Sequence, residues 1–469
     1  MLRRISVRKN VLVSCAAACI AALPAAMACA STTYTTVTAN WTGTSGDWTN
    51  AADWSTNPAY PNNGTPSNTV YNVDINSGSV TLSGSINVDS VTLGTNPQSL
   101  NIGNGAILNL SQPDNAGVQG LFSGRLNISN STLENAQIKA PASNSGYNSE
   151  LGFSTLQNVT LASNLDAGNV FNLTVMNSSG NAQGLNLNNQ SLTLRGSGGS
   201  ISFNDATTSA NADIPELVDN GTINIVQGGY VIAAKATLNF GSKAVLNIQT
   251  SGSAIPSPSY LTGNTINNAG SIVVGPGNVN ILQTQPSLYY SLPTLIINPT
   301  NFTNQSTGVI TVDSGNALQI DSPNFVNDGL IQTSNAAGLT STGGASISIS
   351  RSWTNNGTIN IGSSDFLIEQ AVPTGTGLVN NSGGQVIQNT NAGTINVGSS
   401  NVTGVTAALL TPNFTNSGTI TAYNGNVLQI GQLQGHIISA EPVISWTNIN
   451  NAKVAGSGTA VTRISPGWL

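Results

Sequence analysis

A seven-residue pattern, aromatic–x–Asn–x–Gly–x–Ile, recurs along the C-terminal half of the chain and constrains its fold more than any other feature. Its clearest form is Phe414-Thr-Asn416-Ser-Gly418-Thr-Ile420. Looser copies begin at Leu217, Ile266, Phe302, Phe325, Trp353, Leu378 and Trp446. From Phe302 onward the copies start at steps of 23, 28, 25, 36 and 32 residues. Since strands of three to five residues are not stable alone, each copy must stack on the next.

Between the copies, the residues follow the alternating apolar and polar pattern of β-strands. Ile, Val and Leu alternate with polar residues in short runs such as Val70–Ile75, and Gly or Asn separates the runs. Only 6% of the residues are charged, and roughly one in seven is Asn, far above ordinary usage. Steps in the twenties fit one turn of a three-sided solenoid. The sequence therefore predicts an all-β, right-handed parallel β-helix (β-solenoid) with short strands over residues 71–469.

Stacking in this register predicts two structural columns. One is an apolar column of rings inside the solenoid: Phe302, Phe325, Trp353, Phe414 and Trp446. The other is an amide ladder at a bend, in which each Asn hydrogen-bonds the next: Asn304, Asn327, Asn355, Asn380, Asn416 and Asn448. Asp219 is expected to be an imperfect rung of this ladder, and the Gly of each copy to make a turn.

Residues 31–70 differ from the repeats because Trp41, Trp48 and Trp54 lie close together there. We expect an N-terminal cap in which the rings cover the apolar end of the stack, as terminal repeats require. The alternative is a carbohydrate-binding platform, which requires exposed, coplanar rings.

Residues 1–30 have the features of a signal peptide: a basic start, an Ala-rich apolar stretch, and small-x-small cleavage sites ending at Ala28 or Ala30. Removing them takes four basic residues and leaves eight basic against eighteen acidic, a net charge of −10. That balance disfavours nucleic acid as a partner. No integral membrane segment is expected in the mature chain.

Few residues suggest catalysis. Every cysteine lies within residues 1–30 and the chain has a single histidine, so no metal and no cofactor is expected. Asp313, Asp321 and Asp328, with Arg351 one copy later, are the weak catalytic candidates. Together they would resemble the acidic and basic groups of a polysaccharide lyase or hydrolase.

The opening Trp41…Gly46-Asp47-Trp48…Trp54, followed by a Pro-containing stretch and by Val91-Thr-Leu-Gly94, resembles the start of large exported bacterial β-helix proteins. These proteins carry autotransporter-associated β-strand repeats or a PEP-CTERM sorting signal. The resemblance implies a surface or extracellular-matrix protein, often adhesin-like. The chain ends Ser465-Pro-Gly-Trp-Leu469 without the apolar sorting helix of that family.

These observations favour a non-enzymatic, exported β-solenoid that is a structural or adhesin-like element, outside the cell or at its outer surface, with the periplasm as the alternative location. Its expected partners are extracellular polysaccharide or cell-surface components, engaged along a polar Asn/Thr/Ser face. A polysaccharide-active lyase or hydrolase and a tryptophan-based carbohydrate-binding protein are the alternatives.

Overall fold

The fold is almost entirely β-structure in a computed structural model of the chain. The residues that the structure describes are 33–94, 99–103, 105–112, 118–141, 149–176, 184–195, 199–204, 216–226, 228–249, 258–275, 294–313, 316–334, 345–349, 352–362, 366–369, 389–401, 404–410, 414–431, 446–448, 453–456 and 461–465. Tyr34–Leu469 form one compact unit. Among the described residues, no helix is long and apolar enough to cross a bilayer.

Parallel strands stack coil upon coil along three faces. In the coil that contains Phe302, Asn301–Asn304 lie on what we call the first face, Val309–Asp313 on the second and Ala317–Ile320 on the third. Each strand pairs in parallel with its counterpart in the next coil: Asn324–Asn327, Leu330–Ser334 and Ser346–Ile349. The predicted all-β parallel β-solenoid is therefore confirmed.

The N-terminal coils already follow this order. Thr35–Asn40 pair in parallel with Thr69–Ile75, so the segment that holds the tryptophans contributes strands to the solenoid itself. A single turn of 3₁₀ helix, Ala51–Asp53, interrupts it. The strands of this region are Thr35–Asn40, Ser45–Asp47, Thr69–Ile75, Ser79–Leu82, Ser85–Asn87, Ser90–Leu93, Ser99–Ile102, Ile107–Asn109, Gly120–Ser123, Leu126–Ser129, Thr132–Lys139, Ser149–Gly152 and Thr155–Leu161.

In the middle coils, strands run around corners without a break. Asn135 and Asn158 turn between the third and first faces with φ of 53° and 51°, a left-handed conformation that Asn tolerates well. The strand Gly229–Gln249 passes over all three faces. The strands here are Leu165–Phe171, Leu173–Met176, Leu185–Asn186, Ser191–Arg195, Gly199–Asn204, Glu216–Val226, Gly229–Gln249, Ser259–Asn268 and Ser271–Val274.

The C-terminal coils keep short, separate strands. After the coil described above they are Trp353–Asn355, Thr358–Ile361, Phe366–Glu369, Asn389–Asn391, Thr394–Val397, Thr406–Leu410, Phe414–Asn416, Thr419–Ala422, Val427–Gly431, Trp446–Asn448, Lys453–Gly456 and Val461–Ser465; Leu295–Ile297 precede it. Phe366–Glu369, Thr406–Leu410, Val427–Gly431 and Val461–Ser465 form a separate four-stranded parallel sheet. Each follows a second-face strand in the chain, as third-face strands do.

The interior is filled by the alternate apolar residue of each strand, which forms one continuous core. The predicted ring column is present on the first face: Phe302, Phe325, Trp353 and Phe414 are all buried. The rings of Phe302 and Phe325 stack with centroids 5.5 Å apart. Trp446 pairs with Phe414 through the backbone.

One coil of this column differs from the prediction. Asn389, not Leu378, pairs with Trp353 on one side and Phe414 on the other. The copy expected at Leu378 lies outside the described residues. The first-face strand of this coil therefore begins at Asn389, 11 residues after the predicted start at Leu378.

Candidate interaction surfaces

A ladder of buried amides runs along the corner between the first and second faces. The Nδ2 of Asn304 donates to the Oδ1 of Asn327 at 2.7 Å, and the same bond joins Asn327 to Asn355. All the rungs from Asn268 to Asn416 are fully buried. Each Nδ2 has a second proton to donate, and the Nδ2 of Asn304 lies 3.3 Å from the carbonyl oxygens of Gly308 and Leu330. The ladder thus satisfies amides that would be costly to bury alone.

The membership of the ladder differs from the prediction at two positions, one within the ladder and one at its N-terminal end. Asn391, not Asn380, is the rung between Asn355 and Asn416, with 2.7 Å bonds on both sides. No rung is left for Asn380, which lies outside the described residues. The ladder also includes Asn268, whose Nδ2 donates to the Oδ1 of Asn304 at 2.8 Å. Asn448 pairs with Asn416 through the backbone.

The ladder begins at Asn268 because the preceding coil offers no amide there. Its backbone partner is Phe240, which in turn pairs with Val218, and both side chains are buried. Asp219 is therefore not a rung, contrary to expectation. The Oδ1 of Asn268 is buried without a hydrogen-bond partner, a cost of about 1–3 kcal/mol.

From Gly270 onward, the glycine of each described copy is required by the close approach of adjacent coils, not by a turn of positive φ, whereas Gly221 in the earlier copy has a φ of 90°. A Cβ on Gly357 would collide with the carbonyl oxygen of Gly329, and one on Gly393 would collide with that of Gly357. Gly418 stands in the same relation to Gly393. Asn–x–Gly is thus one structural unit, in which the amide bonds along the axis and the glycine admits the neighbouring backbone.

The three N-terminal tryptophans are buried, with exposed fractions of 4%, 0% and 2% for Trp41, Trp48 and Trp54. Their rings meet at 78° and 57°, so they are not coplanar. The Nε1 of Trp48 donates to the carbonyl of Pro61 at 2.8 Å and that of Trp54 to the carbonyl of Trp48 at 2.7 Å. This geometry contradicts the carbohydrate-binding platform and agrees with rings that cover the first coil.

The candidate catalytic carboxylates do not converge. Asp313 ends a second-face strand, Asp321 follows a third-face strand and Asp328 follows a first-face strand. The Oδ1 of Asp328 accepts a bond from the Nδ2 of Asn356 at 2.8 Å, a local contact of the corner. Arg351 lies outside the described residues, and no three acidic, His or Cys residues within the described ranges are grouped as metal ligands.

Outward residues form regular polar columns. On the first face, Thr303, Thr354, Thr390 and Thr415 occupy equivalent positions and are partly exposed. On the second face the outward amides bond along the axis, as where Asn247 donates to the Oδ1 of Asn224 at 3.0 Å. A hydroxyl or amide thus recurs along both faces at multiples of about 4.8 Å, the spacing of adjacent strands. Val326 interrupts the column on the first face and Val273 the column on the second.

Ion pairs are few within the part of the chain that the structure describes. On the second face Arg195 donates to both carboxylate oxygens of Asp166 at 2.7 and 2.9 Å, and this raises the pKa of the guanidinium. In the first coil, a hydrogen bond from Ser83 lowers the pKa of Asp47, and hydrogen bonds from Thr49 lower it further with a smaller effect. Both contacts join neighbouring parts of the stack, which is a structural role.

A third column, at the corner before the third face and the start of its strands, was missed by sequence reasoning. The register aligns Phe153, Asn172, Ser200, Tyr230 and Tyr260 in successive coils, and we call this set the aromatic stripe. Phe153 is 56% exposed and Tyr230 is 37% exposed. The rings of Tyr230 and Tyr260 stack, with centroids 4.7 Å apart and planes within 5°. Nothing in the spacing of these residues shows that they align, because the coil lengths between them vary.

Comparisons with protein-family models, with characterised proteins and with solved structures returned no match. Function must therefore be argued from the geometry of these surfaces.

Proposed function

We propose that the chain is an exported, non-enzymatic β-solenoid that serves as a structural or adhesin-like element at the surface of a bacterial cell or in its extracellular matrix. The observation that carries this proposal is the repetition of outward polar side chains along the axis. Hydroxyls recur on the first face and bonded amides on the second. Such columns suit many weak, equivalent contacts with an extended partner.

The fold supports the same role through its rigidity. The buried amide ladder and the inter-coil backbone bonds tie each coil to its neighbours. The three acidic candidates lie at the ends of, or just after, strands on three different faces. The geometry therefore favours a binding scaffold over the polysaccharide lyase or hydrolase.

Localisation and processing test the proposal. In the native host, N-terminal sequencing of the mature protein should begin at residue 29 or 31, which corresponds to cleavage after Ala28 or Ala30. Antibody labelling of intact cells should detect the protein outside, and a deletion strain should adhere less to surfaces or to neighbouring cells. A full-length chain confined to the cytoplasm would overturn the proposal.

A further inference from the structure

We propose that the Asn424-Gly425 turn is a site of spontaneous covalent modification, at which Asn424 loses its side-chain amide and becomes aspartate or isoaspartate. This inference goes beyond the proposed function and does not depend on it. A glycine after asparagine favours the reaction, because a residue without a side chain leaves its backbone nitrogen accessible. Asn-Gly occurs five times in the chain, beginning at Asn63, Asn104, Asn220, Asn356 and Asn424.

The reaction is a hydrolysis and needs no co-reactant besides water. The backbone nitrogen of Gly425 loses its proton and attacks the Cγ of Asn424. A bond between that nitrogen and Cγ forms, the Cγ–Nδ2 bond breaks, and ammonia leaves a cyclic imide. Water then opens the imide. Addition at Cγ gives aspartate, and addition at the main-chain carbonyl carbon gives isoaspartate.

The turn exposes the nitrogen that must react. Asn424 and Gly425 are its central residues, and the N–H of Asn426 closes it by donating to the carbonyl oxygen of Tyr423 at 3.1 Å. Both central residues are exposed. Gly425 has a φ of 75°, which glycine adopts without strain. Within the part of the chain that the structure describes, the N–H of Gly425 donates no hydrogen bond. Solvent therefore has access to this proton.

The other four Asn-Gly sites restrain the same nitrogen. In three of them the glycine N–H donates to a backbone carbonyl oxygen, at 2.8 Å for Gly64, 2.7 Å for Gly105 and 2.9 Å for Gly357. In the fourth, Gly221 lies inside the strand Glu216–Val226, which pairs with the next coil. Attack at these sites requires local opening of the coil first, so the folded chain slows the reaction there.

The modification acts on the coil through Asn426, the residue that follows the turn. Asn426 is fully buried, and its Oδ1 accepts the N–H of Val405 at 2.8 Å. Its Nδ2 donates to the carbonyl oxygens of Tyr423 at 3.1 Å and Asn424 at 3.2 Å. In isoaspartate the chain continues through the side-chain carbonyl, so the backbone of the turn gains a methylene. The bonds from Asn426 to the turn then lose their geometry, and the contact with Val405 loosens.

Peptide mapping by mass spectrometry tests the site. The mature chain is incubated at neutral pH, and the peptides that contain Asn424 and Asn356 are followed for conversion of amide to acid. In the folded chain Asn424 should convert at least about tenfold faster than Asn356, whose reaction waits for local opening. In urea the two rates should be similar, which makes Asn356 the matched control. Equal rates in the folded chain, or faster conversion at Asn356, would overturn the proposal.

Hydrogen exchange tests the effect on the coil. After incubation, residues 404–410 and 427–431 should exchange faster than in a fresh sample, while residues 301–334 should be unchanged. Asn424→Gln keeps an amide but forms a less favourable, larger imide ring, so its exchange should stay the same on incubation. Equal loss of protection in Asn424→Gln would overturn the role of this turn. Unchanged protection in a converted sample would overturn the loosening of the coil.

Discussion

Asparagine has at least two different roles in this chain, distinguished by where its backbone lies. Asn327 and its equivalents point inward and bond along the axis, fully buried. Asn135 and Asn158 turn corners with positive φ and bond each other at 2.7 Å. The high Asn content thus follows from two requirements of a tightly wound coil, an amide that can bond both neighbours and a residue that tolerates left-handed backbone.

Removing one internal rung should be costly. Asn327→Ala leaves the Nδ2 of Asn304 and the Oδ1 of Asn355 buried without their partners, so we expect a loss of about 2–4 kcal/mol. The shift in the urea midpoint, followed by circular dichroism, measures it. Asn324→Ala is the control, because Asn324 lies in the same strand but is exposed and bonds Asn301 at the surface. Equal shifts for the two variants would show that the ladder adds no special stability.

The partial burial of Glu134 makes the stability of the fold depend on pH. Desolvation raises the pKa of Glu134 above its ordinary value of 4.5, so the folded chain holds this proton more tightly than the unfolded chain. Ionisation of Glu134 therefore lowers stability as the pH rises above 4.5. Glu134→Gln should raise the melting temperature at pH 7, because it removes the partly buried charge. The difference should vanish in scans below pH 4.5, and a variant that is less stable at pH 7 would contradict this reasoning.

At the scale of the element, the corner between the first and second faces is built from stacked Asn–x–Gly units. The backbones of successive glycines are so close that no side chain fits between them. The tightness of this corner explains why the pattern is regular in sequence even where coil length is not.

Gly357→Ala tests that corner. The added Cβ meets the carbonyl of Gly329 and the backbone of Asp328, so adjacent coils must separate, and we expect a loss of more than about 2 kcal/mol. Gly84→Ala is the matched control, since a Cβ there has nothing within 4 Å and the φ of Gly84 is not positive. Thermal unfolding of the two variants gives the comparison. If neither variant loses stability, adjacent coils can separate at little cost in free energy.

The sequence predicted the elements better than their register. The ring column and most of the amide ladder follow from the repeat, because both depend on residues that recur within a copy. Asn391 was missed since its copy begins with Asn389 in place of a ring, although Asn391-Ala-Gly393-Thr-Ile395 matches the rest of the pattern. The aromatic stripe could not be predicted, because it depends on how many residues each corner absorbs.

At the scale of the whole molecule, stability should be local. In a repeat array each coil contacts only its neighbours, so damage at one coil propagates weakly. The buried tryptophans belong to the first coils, where Trp41 and Trp54 form an isolated antiparallel bridge.

Trp54→Ala should therefore destabilise one region only. We expect a loss of about 3–5 kcal/mol from the cavity, with faster amide hydrogen exchange in residues 35–93. Protection in residues 301–361 should be unchanged in the same experiment. Loss of protection along the whole chain would show instead that the solenoid unfolds as one cooperative unit.

The amide ladder also gives the solenoid an electrical direction. From Asn268 to Asn416 every amide-to-amide bond of the ladder points the same way, with Nδ2 donating toward the C-terminal coil. Aligned side-chain dipoles add, as peptide dipoles add in a helix. The ladder should therefore carry partial negative charge at Asn268, where the acceptor is unused, and partial positive charge toward Asn416. Each coil added to such a row extends a dipole that already has a fixed sign.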